Sequence, residues 1–193
     1  MMNGARFRMQ VGCLIAGVLM LTGMAPTRVL ADSKHAHTNA AAAADTLIKV
    51  VRESTERFKD VNVAKAEGYA LLFGCVSGED SGAMGMHFVN MSLVGDGELD
   101  ATRPEIMIYE PMPDGSLKLI GADYLVLANS WDSNPNHAGT PQIMGQLLHY
   151  FAAPNRFGLP AFYTLHVWAW KKNPTGAFVN WHSNVSCSAF SGQ

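Results

Sequence analysis

Between positions 40 and 59, apolar side chains recur at Leu47, Val50, Val51 and Phe58, with Ser54 on the same side. Lys49, Arg52, Glu53, Glu56 and Arg57 take the other side. Spacings of three and four residues predict an amphipathic helix with one face against a core. A second short helix is expected over 63–68, stopped by Gly68. The glycines of 77–85 indicate a loop. From there the period falls to two. Over 86–94, His87, Val89, Met91 and Leu93 alternate with Phe88, Asn90 and Ser92, as in a strand with two different faces. A short strand is expected over 105–109, a turn over 111–115 and a longer strand over 116–127. Positions 131–141 read as a polar loop and 143–151 as a helix. The most strand-like segment is 162–171, followed by a turn at Asn173-Pro174-Thr175-Gly176 and a last short strand over 178–181. Helix first and hairpin-linked strands afterwards predict an α+β fold: an N-terminal helix followed by a mainly antiparallel sheet, with one further short helix.

The first ten residues carry Arg6 and Arg8 and no acid, an apolar run follows over 11–24, and Pro26 precedes Val29-Leu30-Ala31. A basic start, a short apolar core and a small residue at the cleavage point predict an export signal over 1–31. The run of about fourteen residues is too short for a bilayer, which needs roughly twenty. A polar tail over 32–39, containing His35 and His37, then leads into a single domain over 40–193. The chain's net charge is −2, and the leader removes basic residues only, so the mature domain is more acidic still. Without a basic stripe, nucleic acid and anionic membrane surfaces are poor partners, and no stable membrane anchor is expected after cleavage. Cys13 departs with the leader, leaving Cys75 and Cys187. Two cysteines in an oxidising compartment are expected to pair, and closing so long a loop stabilises by roughly 4–5 kcal/mol in the chain-entropy account.

Candidate chemistry gathers on the strands. In Leu165-His166-Val167-Trp168-Ala169-Trp170, strict alternation puts His166, Trp168 and Trp170 together. His87 lies in a comparable strand, His149 on the expected helix before the aromatic strand, and Asp123 interrupts an apolar run. Buried imidazoles and carboxylates must be hydrogen-bonded, paired or coordinating. His87, Asp123, His149 and His166 are therefore the candidate ligands for a divalent ion such as zinc, or for iron or copper with open positions. Met84, Met86 and Met91 cluster about His87, which would suit copper, although methionine also fills core gaps. Trp168, Trp170, Tyr124 and Tyr109 are the candidate walls of a ligand pocket. Structural histidines satisfied by hydrogen bonds, with Asp123 paired to Arg103 or Lys118, explain the same residues. Glu79-Asp80-Ser81-Gly82 lacks the glycine of a serine-protease loop, and the folded domain has no histidine before it.

The stretches Gly82-Ala83-Met84-Gly85-Met86-His87-Phe88-Val89-Asn90, Pro104-Glu105-Ile106-Met107-Ile108-Tyr109-Glu110-Pro111 and Leu165-His166-Val167-Trp168-Ala169-Trp170-Lys171-Lys172-Asn173-Pro174-Thr175-Gly176, with the closing Asn184-Val185-Ser186-Cys187, resemble a group of secreted bacterial proteins. The resemblance covers most of 58–187. It implies one compact exported domain and carries over no catalytic residue. Three readings follow: an exported domain binding a metal ion in an aromatic-walled pocket, a non-catalytic module binding a small organic ligand, or a structural or interaction protein without a pocket.

Overall fold

Alanines at 40–44 have the highest helix propensity of any residue, and the stripe of Leu47 and Val51 that follows is fully buried. These residues form the end of helix α1 (Arg28–Thr55) in a computed structural model that describes residues 39–192 in full. Most of the export signal expected over 1–31 lies outside the described residues, and of the tail expected over 32–39 nearly all is described only as backbone of α1. A 3-10 turn (Glu56–Lys59) ends the helix, and the Asp60 carboxylate accepts from Asn62 N to start α2 (Val61–Ala66).

The strands that follow are β1 (Ala70–Ser77), β2 (Ala83–Val89), β3 (Ile106–Pro111), β4 (Leu117–Leu127), β7 (His149–Phe151) and β8 (Phe162–Val167). They form one six-stranded sheet in the order β1-β2-β3-β4-β8-β7, and every pairing is antiparallel. Short helices α3 (Met91–Asp96) and α4 (Ala128–Asp132) and a two-stranded hairpin of β5 (Gln142–Ile143) and β6 (Gln146–Leu147) fill the connections. The α+β expectation holds.

The curled sheet separates two apolar clusters. One joins α1 to Met86, Phe88, Tyr109, Tyr124 and Leu165. The other gathers Ile106, Ile108, Leu125, Phe162 and Trp168 beneath the loop and tail segments of the opposite face. Cys75 in β1 is disulfide-bonded to Cys187 in that tail, 112 positions away. Among the described residues, no helix is long and apolar enough to cross a membrane.

Three local expectations are corrected. The strand expected over 86–94 stops at Val89, because the Asn90 side chain accepts from Ser92 N and caps α3, which Gly97 ends at φ +75°. The helix expected over 143–151 is absent. Ile143, Leu147 and Phe151 mimic helical spacing, but Met144 (φ 47°) and Gly145 (φ 82°) both adopt left-handed geometry and make a hairpin turn instead. The strand expected over 178–181 is replaced by an isolated bridge between Ala83 and His182.

Candidate metal centre

Strand register begins the site. Asp123 of β4 pairs directly with His166 of β8 and, on its other side, with Ile106 of β3. His87 of β2 pairs with Ile108, two residues along β3 from Ile106 and so on the same face. In a flat sheet, β2 and β8 would stand three strand spacings apart, about 14 Å. The curl, reinforced by a bulge between Ile108 and Tyr109, brings the His87 and His166 rings to 5.7 Å between centroids. One donor atom from each of His87, Asp123 and His166 lies within 4.8 Å of the other two, so this buried group could hold a metal ion.

The three side chains are buried, at 3%, 3% and 4% exposure respectively. His87 Nδ1 lies 3.1 Å from Gly85 O, which fixes Nδ1 as the protonated nitrogen and leaves the Nε2 lone pair free. Thr164, two residues before His166 and therefore on its face, donates to Asp123 Oδ1 at 2.6 Å. His166 is different: neither of its buried ring nitrogens makes a well-formed hydrogen bond among the described residues, although the Asn180 side chain lies close enough to interact with it. Burial pushes His87 down to about 4, with the neighbouring His166 acting in the same direction. Burial likewise pushes His166 down to about 3. It raises Asp123 to about 6, against the Thr164 hydrogen bond, which lowers it. At neutral pH both imidazoles are thus neutral and the carboxylate is charged, the protonation states that ligation requires.

A hollow of about 20 Å³ adjoins the three. That is room for one water-sized body, far below the roughly 300–1,000 Å³ of small-molecule sites. Its walls are apolar, among them Phe73, Met84, Leu125, Phe157 and Phe162. The segment after β7 closes over it. Phe157 packs 5.4 Å from Phe73, and Arg156 Nη2 donates to Ser77 O at 3.3 Å.

Not every expected site residue arrives here. His149 lies on the edge strand β7 opposite Thr164, is exposed, and stands outside the group of three. It was expected on a helix; as the partner of Thr164 it shares the face of His166 and acts electrostatically on Asp123 and His166, but from an exposed edge position. Tyr109 and Tyr124 belong to the cluster under α1, where their hydroxyls donate to Phe58 O (2.7 Å) and Ala101 O (2.6 Å). Trp168 lies beside His166, 5.9 Å between ring centroids, but is not one of the residues that line the hollow. Trp170 lies elsewhere. After Val167 the chain turns, with Ala169 N donating to Val167 O and both Trp170 N and Lys171 N donating to Ile120 O. That turn breaks the alternation, so Trp170 Nε1 reaches Thr55 Oγ1 near the end of α1 at 3.0 Å. Asp123 pairs with neither Arg103 nor Lys118; Arg103 bonds Asp100 instead. Of the methionines near His87, Met84 lines the hollow, Met86 lies in the cluster under α1, and Met91 is 54% exposed.

Sequence reasoning missed Thr164, although its place two residues before His166 marked it. It also missed Phe73 and Phe157, which no spacing signals, and His182. That last imidazole is fully buried, packs edge-on to Trp168 at 4.9 Å and takes a hydrogen bond from Asn184 N. Known family models, curated proteins and solved structures yield no match to this chain.

Proposed function

We propose that the chain is an exported protein that holds one transition-metal ion between His87, Asp123 and His166. The observation that carries this reading is the buried group of His87, Asp123 and His166, whose donor atoms lie within 4.8 Å of one another beside a hollow of about 20 Å³, with neither His166 nitrogen in a well-formed hydrogen bond among the described residues. Leaving buried polar atoms without partners costs on the order of 1–3 kcal/mol each, and a bound ion would remove that cost for the ligating nitrogen. The supporting contacts suit ligands: a backbone carbonyl orients His87 and a hydroxyl orients Asp123. Metal–ligand distances of about 2.0–2.2 Å require the donor atoms to close by no more than about 1.5 Å from their present separations.

Two imidazoles and one carboxylate suit zinc, iron or copper, and such an ion supplies Lewis-acid or redox chemistry when bound. The hollow is too small for an organic substrate beside the ion, so metal holding is favoured over catalysis on a large molecule and over a binding module for organic ligands at this place. Export is supported by the leader pattern over 1–31 and by the Cys75–Cys187 disulfide, a bond that persists in oxidising compartments.

The test is elemental analysis of full-length protein expressed with its own leader and recovered from the periplasm or medium. Close to one equivalent of a transition metal is expected in the wild type and none in a His87→Ala/His166→Ala variant that remains folded by circular dichroism. Folded wild-type protein that carries no metal and takes up neither zinc, copper, iron nor manganese on titration overturns the reading.

A further inference from the structure

Strict alternation in β2 would place Ala83, Gly85 and His87 on one face and Met84, Met86 and Phe88 on the other. Met86 and Phe88 obey, packing beneath α1. Met84 does not. It is 3% exposed and lines the hollow together with His87, Asp123 and His166. The cause lies in the backbone: the β1–β2 register skips between Val76 and Ser77, and Gly85 sits at φ +94°. A Cβ at Gly85 would come within 2.7 Å of Tyr109 O, so the bend requires glycine. The residue that orients His87 through its carbonyl is the one that brings the Met84 side chain to the lining of the same hollow.

Resting on the metal reading above, we propose that Met84 is a fourth donor and that the site takes copper in its cuprous state. Thioether is a soft donor that favours Cu(I), and imidazole is a good copper ligand. The charge balance points the same way. One Cu(I) beside one ionised carboxylate is neutral, whereas a divalent ion leaves a net positive charge in a hollow walled by phenylalanine and leucine, and uncompensated buried charge is costly. Cu(I) also needs no water ligand, which suits a hollow as small and as apolar in its lining as this one. His149, exposed on β7, is not the fourth donor in this arrangement.

The experiment is an anaerobic competition titration of full-length wild-type protein and Met84→Leu with Cu(I) against a cuprous chelator, and with Zn(II) against a zinc chelator. It is joined to copper X-ray absorption on the loaded wild type. Leucine conserves volume and apolarity, so packing is retained. Expected are a copper–sulfur distance of about 2.3 Å in the wild type, as for other metal–sulfur ligation, and at least about a tenfold loss of Cu(I) affinity in Met84→Leu with zinc affinity unchanged. A wild-type spectrum without a sulfur neighbour overturns the proposal whether or not the variant folds, and so does equal Cu(I) affinity in the two proteins. Zinc bound at the triad with either result leaves the metal reading standing. Binding of neither copper nor zinc overturns this proposal, and it defeats the metal reading as well when iron and manganese also fail to bind.

Discussion

Asp123 and His166 are direct cross-strand partners, yet their nearest atoms, Oδ1 and Nδ1, lie 3.6 Å apart, beyond a good hydrogen bond. Nor do they form an ion pair at neutral pH, because burial holds His166 uncharged. Two polar side chains are therefore held against each other without a strong bond between them, and together with His87 they form a buried group that could hold a metal ion.

Asp123→Asn tests that relationship. The amide oxygen can still accept from Thr164, and the cost of a buried charge is removed. Without metal, the variant is expected to melt within a few degrees of the wild type or above it. The stabilisation that a binding metal confers by mass action is expected to disappear. Thermal unfolding with and without one metal equivalent measures both.

Thr164→Val removes the 2.6 Å donor to Asp123 while keeping the side chain's shape. Loss of such a supporting contact is expected to weaken metal binding about 10- to 100-fold. Competition with a chelator reads this directly.

Gly85→Ala is expected to destabilise the fold by at least about 1–3 kcal/mol, since alanine is strained at φ +94° and its Cβ meets Tyr109 O. For a chain of this size that is a drop of roughly 2–4 °C in Tm per kcal/mol. An unchanged melting curve would show that the bend is not needed.

Replacing Cys75 and Cys187 by serine opens the link across 112 positions and frees the tail from β1. A loss of about 2–5 kcal/mol is expected by chemical denaturation.

Glu105 governs a pH effect of its own. It is buried, its Oε2 accepts from Leu125 N, and burial raises its pKa from 4.5 to about 8, with the nearby charge of Asp123 raising it further. Because the folded value lies above the unfolded one, its contribution is complete below pH 4.5 and is lost as pH rises toward 8. Glu105→Gln should therefore gain stability relative to the wild type across that window, with the difference levelling above it. His87 and His166 act oppositely. Their folded values, about 4 and 3, lie below the ordinary 6.5, so their contribution is lost as pH falls through that range. Metal-free protein followed by urea unfolding at several pH values separates the two limbs.

Much of this was legible along the chain. The stripe of Leu47, Val51 and Phe58 marked α1, and alternation marked β4 and β8 and placed His166 opposite in sense to Leu165 and Val167. His87, Asp123 and His166 stood out as polar groups inside apolar strands. Local patterns misled where one residue changes the geometry. Asn90 ended a strand by capping a helix, and Met144-Gly145 folded a helix-like spacing into a hairpin. The turn after Val167 carried Trp170 away from the face it shared on paper with His166.

The sequence by itself determined which side chains share a face within each strand, because alternation is a property of one chain's backbone. It also pointed to Cys75 and Cys187 as the pair expected to form the disulfide that the structure contains. Only the tertiary structure decided that His87, three strands away from His166, stands beside it, and that Met84 joins them. Those outcomes depend on curl, register and bulges, which arise from packing between strands and leave no period in any one of them.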